Sequence, residues 1–287
     1  MKELTPEELR QWNGIILEAL YFFDSFCRTH RLTYYAVGGT AIGAVRHHGI
    51  IPWDDDIDVA MPRPDYDRFV SLCPSSLPSA YRLVTPYTDA DYNLPFAKLI
   101  DTRTVLVERD DVPCRIGLFI DIFPLDAASD DSLSAEREAR RYRRLMNRLE
   151  AVTARTTFMS RLGLLLRPHE WGRFAVQTAA VFFRQTLRRR YLLRLERIAR
   201  RHPYGSTQWL TNYGGAYGSR ERFPIAYLDG DTPRLPFADG TIPIFPRYHD
   251  YLTRIYGDYM QLPPPEKRIP HHTKHIVCMR ELTTHDA

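Results

Sequence analysis

Four aspartates fall within five positions, Asp54, Asp55, Asp56 and Asp58, in the stretch GGTAIGAVRHHGIIPWDDDIDVAM that opens at Gly38. Carboxylates this close repel one another and call for a positive partner. Side chains alternate along a strand, so Asp56 and Asp58 are expected on one face, about 7 Å apart, with Ile57 and Val59 facing a core. Two carboxylates on one face suit a hard cation such as Mg2+, which takes oxygen ligands and keeps waters and substrate phosphates. A third acid must come from elsewhere, and Asp121 fits, a lone carboxylate between Ile120 and Ile122. Buried without a partner it would be costly, which a metal would relieve. A generic acid cluster is more often a solvated loop or a helix N-cap. The apolar strand pattern after this cluster, the glycine pair before it and Asp121 favour a metal site.

Other residues extend that chemistry. Gly38, Gly39 and Thr40 open a short predicted helix starting at Thr40, whose free N–H groups suit phosphate oxygens, although a glycine pair alone is more often a turn. Arg46, His47 and His48 either contact phosphate or balance Asp54 and Asp55. Lys98, alone in LPFAKLI, is a phosphate contact or an edge-strand residue with its ammonium in water. Trp53, Tyr213 and Tyr217 can stack on a base or enclose a quaternary ammonium, though aromatics are more often core. His271 and His275 have helical i, i+4 spacing, but no acid or cysteine beside them supports zinc; a polar contact near the site is the better reading.

The elements that must position these residues are legible in part. TPEE, with Thr5 as N-cap, Pro6 at N1 and Glu8 at N3, starts a helix over 5–30. Strands are expected in LTYYAV, at 57–61, in LPFAKLID, TVLVER and GLFIDIFPLD, with a helix at RPDYDRFVSLC. From about 130 to 201 the pattern is helical and Arg-rich, and beyond 202 Gly, Pro and Tyr suggest loops and short strands around a binding surface.

At 287 residues with 26% charged and 44% hydrophobic residues, the chain reads as an ordinary globular protein. MKELTPEELRQW lacks the apolar region of a secretory signal, and no apolar run approaches the roughly 18 residues of a membrane span. Cys27, Cys73, Cys114 and Cys278 form no CxxC pair and read as reduced thiols, so a cytoplasmic protein is expected. The formal charge of +4 hides an asymmetry: residues 136–201 hold 18 arginines against five glutamates, +13, leaving −9 for the remainder. Such a basic segment suits an anionic partner, a membrane surface, a polyanion or nucleic acid. Its apolar positions at helical spacing (Leu145, Leu149, Val152; Leu162, Leu165, Leu166; Phe174, Val181, Phe182) suggest amphipathic helices lying on an anionic membrane; alternatively the arginines pair with acids of the same chain.

The order GG[ST], then Asp56-Ile57-Asp58-Val59, then a third aspartate on a later strand resembles the nucleotidyltransferase superfamily. The longer string GGTAIGAVRHHGIIPWDDDIDVAMPRPDYDRF, with FAKLID, FIDIFPLD and LPPPEKRIPHH, is similar to the LicD family, which includes phosphorylcholine transferases and fukutin-related proteins. The similarity spans much of the chain outside 130–200. The 16 residues between Gly39 and Asp56 exceed the usual superfamily spacing and are typical of a LicD-like insert. The resemblance implies an α+β fold, a nucleotidyltransferase-like mixed sheet flanked by helices, with an Arg-rich helical insertion. It implies a catalytic core at 1–129, the Arg-rich segment at 130–201 and a loop-rich part at 202–287 completing the active site. It further implies an Mg2+-dependent enzyme, with Mn2+ as a substitute, that moves a phosphocholine-like group from a CDP-alcohol such as CDP-choline. The acceptor would be a cell-surface glycan, a lipid-linked glycan or a teichoic-acid precursor, and CMP would be released. Asp56, Asp58 and Asp121 would bind the metal, and Asp121 could also orient or deprotonate the acceptor hydroxyl. Gly38, Gly39, Thr40, Arg46 and Lys98 would hold the donor. Such an enzyme would work in the cytoplasm, at the inner membrane face, with no specific nucleic acid. Two other readings stay open: a nucleotidyltransferase that leaves NMP on a small molecule such as an antibiotic, and a non-catalytic polyanion-binding protein.

Overall fold

The first helix, α1 (Pro6–His30), starts as its residue types dictate. Thr5 Oγ1 accepts the Glu8 N–H at 3.2 Å, the Glu8 carboxylate accepts the Thr5 N–H at 2.8 Å, and Pro6 occupies the first turn. The apolar side of α1, Trp12, Ile15, Ile16, Ala19, Phe23 and Phe26 among it, is buried. This computed structural model describes residues 5–108, 111–112, 114–154, 164, 166–268 and 275–279.

Along the chain follow β1 (Tyr35–Ala36), α2 (Gly38–Arg46), β2 (Asp58–Pro62), α3 (Arg63–Ser76), β3 (Tyr81–Val84), β4 (Ala97–Asp101), β5 (Val105–Val107) and β6 (Phe119–Ala128). Then come α4 (Ser132–Thr153), α5 (Trp171–Ala199), β7 (Trp209–Thr211), β8 (Arg222–Pro224), β9 (Arg234–Phe237), β10 (Gly240–Pro243), α6 (Tyr248–Tyr256) and β11 (His275–Cys278). The architecture is thus mixed α and β. The main sheet runs β1-β2-β6-β4-β3, with β7 and β8 continuing from the far half of β6. Within it β2 and β6 are parallel and every other pair is antiparallel. β9 pairs with β10, and β5 with β11.

All ten residues of β6 are buried, as the near-continuous apolar run FIDIFPLDAA requires of a strand with neighbours on both sides. Pro124, which has no N–H to donate, falls between the residues that pair with β4 (119–122) and those that pair with β7 (126–128). The core around this sheet also includes Leu210, Phe223, Phe237, Phe245 and Tyr251, so the C-terminal part shares it. A second cluster joins α4 to α5, where Leu145, Leu149 and Val152 meet Tyr191, Leu192 and Leu195. No described helix is long and apolar enough to cross a membrane.

Four local expectations change. β2 starts at Asp58, so Asp56 lies in the preceding loop rather than on the strand. α2 starts at Gly38, two residues before Thr40. β3 was not expected: YRLV is short and has no clear alternation, and it is a strand because β4 pairs with it. α6 was also missed, although Tyr251, Leu252 and Ile255 have helical spacing, because Gly, Pro and Tyr surround it. Leu162, Leu165 and His271 lie outside the described residues, and His275 is the first residue of β11.

Several arginines of the basic segment serve the fold. Arg188 Nη2 donates to the carbonyls of Pro86, Asp89 and Tyr92 at 2.5, 2.8 and 3.0 Å, fixing the loop between β3 and β4. Arg200 pairs bidentately with Asp67 and also with Glu196, and Arg201 meets Glu138 at 3.2 Å. Deeper still, Arg63 at the start of α3 forms a fork with Asp126 of β6, at 2.6 and 2.7 Å. Breaking a buried pair strands the remaining charge, so Arg63→Met should cost about 3–5 kcal/mol in urea unfolding, and Arg63→Met/Asp126→Leu should cost less. A double variant as unstable as the single one would contradict the pairing as the source of the loss.

Candidate active site

Strand register sets the centre of the site. Asp58 on β2 lies opposite Asp121 on β6, and Asp121 lies opposite Lys98 on β4. Directly paired residues project from the same face of a sheet, so two carboxylates and an ammonium stand abreast on three adjacent strands. Asp56 reaches the same point from its loop. One carboxylate oxygen from each of Asp56, Asp58 and Asp121 lies within 4.8 Å of the other two. Asp54, Asp55 and Asp56 form a second group of the same spacing.

Backbone hydrogen bonds hold these acids together against their repulsion. The Thr40 hydroxyl accepts the Asp58 N–H at 2.8 Å, and the Asp58 carbonyl accepts the Val37 N–H at 3.1 Å. The Asp121 N–H donates to the Ile57 carbonyl at 2.8 Å, and buried Trp12 donates its indole N–H to the Asp55 carbonyl at 3.1 Å. Thr40, expected at a phosphate, therefore also fixes the Asp58 backbone. The glycines let the acids approach. Gly38 has φ +60°, and a Cβ there would overlap Asp58 Oδ2, while one at Gly39 would overlap Asp54 Oδ2. Both carboxylates thus lie against the start of α2, which has no side-chain cap.

Burial pushes the Asp58 carboxyl well above the usual range; Asp56, Asp121 and Asp54 push the same way and Lys98 opposes them. Burial likewise raises Asp121 to about 7, against the pull of Lys98. Lys98 is 1% exposed on an interior strand, which excludes the edge-residue reading. Burial disfavours its charge, but Asp121 and Glu108 outweigh that and raise its pKa. Its Nζ lies 2.7 Å from Asp121 Oδ1, 3.1 Å from Glu108 Oε1 and 3.3 Å from the centre of the Phe119 ring. The contact with Asp121 Oδ1 is an ion pair without hydrogen-bond direction, so this buried oxygen has no directed partner among the described residues. An all-oxygen donor set with excess negative charge and an under-satisfied buried oxygen fits a hard divalent cation.

The acids floor a cleft of about 900 Å³ that Arg46, Trp53 and Tyr217 also line. Arg46 Nη1 donates to the carbonyls of Tyr259 and Gln261 at 2.6 and 3.3 Å, holding the segment after α6. His47 and His48 do not line the cleft: His47 packs edge-on against Trp53, and the His48 carbonyl accepts the Ala238 N–H at 2.8 Å. Tyr213 stacks on Tyr142 with centroids 4.7 Å apart and lines a separate cavity of about 170 Å³. Glu108, Glu221, Tyr251 and Tyr256 line the main cleft without having been singled out by sequence. GSRERF is ordinary surface composition, and only the fold buries Glu221, where burial raises its carboxyl to about 7.

Residues 31–146 match the family model described as LicD/FKTN/FKRP, nucleotidyltransferase domain. The chain is 30% identical over 281 residues to the lipopolysaccharide cholinephosphotransferase LicD of Haemophilus influenzae, across 95% of this chain and 97% of that protein. It is also 36% identical over 86 residues to an uncharacterised protein of Rickettsia typhi, 28% of either chain.

Without metal, a carboxyl whose folded pKa is raised releases its proton first in the unfolded chain, so stability falls as pH rises from about 4 until the folded group ionises. In EDTA, Asp58→Asn should therefore gain stability over wild type, little near pH 4 and several degrees of Tm by pH 7.5. A gain that stays constant or shrinks with pH would contradict the repulsion described.

Proposed function

This chain belongs to the LicD/FKTN/FKRP family, and on that premise we propose that it transfers phosphocholine from CDP-choline or a similar CDP-alcohol onto a cell-surface glycan. The convergence of Asp56, Asp58 and Asp121 beside Lys98 carries this reading, together with similarity to the cholinephosphotransferase along nearly the whole chain. Asp56, Asp58 and Asp121 would hold Mg2+ or Mn2+, which would offset charge on the donor's pyrophosphate oxygens. Lys98 keeps Asp121 anchored, and Arg46 and the α2 terminus at Gly38 and Gly39 offer positive charge to the phosphates. The acceptor oxygen forms a bond to the choline-bearing phosphorus, the bond to the bridging oxygen breaks, and CMP leaves. The hydroxyl proton passes to a carboxylate of the cluster, for which Asp121 is proposed. This chemistry needs alignment and charge stabilisation more than covalent help. The sheet and its acids are proposed to be a nucleotidyltransferase-like core, with α4 and α5 as its helical insertion.

A lipid-linked acceptor, such as a lipopolysaccharide or teichoic-acid precursor, would place the enzyme at the cytoplasmic membrane face. Leu145, Leu149 and Val152 of α4 are consumed in packing against α5, so they leave no face for lipid. The first half of α5 is different: Trp171, Val181, Phe182 and Phe183 are exposed, Phe182 by 78%, with exposed Arg173, Arg189 and Arg190 on the same helix. Aromatic side chains with arginines beside them suit an anionic bilayer.

The donor is tested by supplying CDP-choline, CDP-ribitol and CDP-glycerol with Mg2+ and measuring CMP. CDP-choline should be turned over, with Asp58→Asn and Asp121→Ala losing at least about a thousandfold, the scale of about 4 kcal/mol of transition-state stabilisation. Pyrophosphate release from a nucleoside triphosphate would instead support a nucleotidyltransferase, and no turnover at all a binding protein. For the membrane, anionic vesicles should sediment the protein at low salt and release it at high salt, neutral vesicles should not, and Phe182→Ser/Phe183→Ser should bind less. Equal binding to both vesicle types would contradict this contact.

A further inference from the structure

We propose that Glu221, with the rings of Tyr217 and Tyr256, receives the quaternary ammonium of the donor's choline, an assignment that rests on the phosphocholine reading. Glu221 is 4% exposed and lines the cleft. Its Oε1 accepts the Tyr217 N–H at 3.2 Å, and the cation that acts on it, Arg143, forms no ion pair with it among the described residues. A buried carboxylate with one amide donor and only a guanidinium beyond ion-pair contact is under-compensated, and a positive group arriving in the cleft relieves that cost. The loop above makes room for it: a Cβ on Gly215 would overlap the Glu221 carboxyl. Tyr217 and Tyr256 meet edge to face with centroids 4.8 Å apart, and Tyr217 is 45% exposed on the cleft.

The chemistry selects the ligand. A trimethylammonium group has no N–H to donate, so it cannot use a directed acceptor; it binds aromatic faces and diffuse negative charge. A neutral polyol would donate O–H hydrogen bonds to Glu221 but bring no positive charge to it. Tyr251 and Tyr256 also line the cleft, and Glu221 and Asp58 both raise their phenol pKa, so both acids act on these rings.

The test is calorimetric binding of CDP-choline, CDP-ribitol and CMP to wild type, Glu221→Gln and Tyr217→Ala, with Ca2+ replacing Mg2+ to suppress turnover. Wild type should bind CDP-choline at least about tenfold tighter than CMP, a difference of about 1.4 kcal/mol. Each variant should lose about that factor for CDP-choline while holding CMP within about twofold, the range of a cation–π contact. Tyr217→Ala changes a half-exposed side chain and keeps the test open should Glu221→Gln fail to fold. An undiminished preference for CDP-choline in the folded variants would overturn the pocket and leave the donor reading standing. Equal losses for CMP and CDP-choline would make Glu221 a loop-positioning residue only and also overturn the pocket. Wild type preferring CDP-ribitol, or binding no CDP-alcohol, would overturn the donor reading itself.

Discussion

Carboxylate repulsion at the floor of the cleft is the constraint on which the rest of this molecule turns. Asp56, Asp58 and Asp121 bring oxygens within 4.8 Å of one another, and one buried lysine does not neutralise them. Side chains alone would move apart, so the backbone must hold them. The parallel pairing of β2 and β6 sets Asp58 opposite Asp121, and the hydrogen bonds to Thr40 and Val37 clamp Asp58 on both its amide and its carbonyl. Gly38 and Gly39 follow from the same constraint, since side chains there would occupy the space of the carboxylates. The fold keeps three like charges adjacent at a cost in stability, a pattern that belongs to sites where function needs them.

How much of this was legible depends on whether a signal was local. Asp56, Asp58 and Asp121 stood out because acids amid Ile, Val and Phe contradict their neighbours, and the helix start at Thr5 carries its capping chemistry in four letters. Lys98 was visible as an oddity, yet its reach to Asp121 and Glu108 comes from β4 and β6 lying side by side, a pairing that no spacing reveals. The alternation rule brings Asp56 and Asp58 together by an incomplete route, because Asp56 approaches from a loop and only Asp58 from the strand. Glu221 was silent for the opposite reason. Its neighbours are charged like any surface segment, and only the packing of α6 and of the 214–217 loop makes it a buried wall of the cleft.

Charge counting was a blunter guide in the Arg-rich segment. A net +13 over 136–201 suggests an anionic partner, but Arg188, Arg200 and Arg201 spend their charge on carbonyls and carboxylates of the same chain. Apolar spacing was ambiguous in the same way, since helix-on-helix packing and bilayer contact write the same pattern. Burial separates them: Leu149 is covered by α5, whereas Phe182 faces outward.

Anomalous diffraction from crystals grown with Mn2+ and CMP addresses the central claim most directly, because this loop offers two acid groups of the same spacing. The proposed site requires an anomalous peak within bonding distance of oxygens from Asp56, Asp58 and Asp121, lost in Asp58→Asn crystals. A peak held by Asp54 and Asp55 away from Asp121, or none at all at saturating Mn2+, would contradict it.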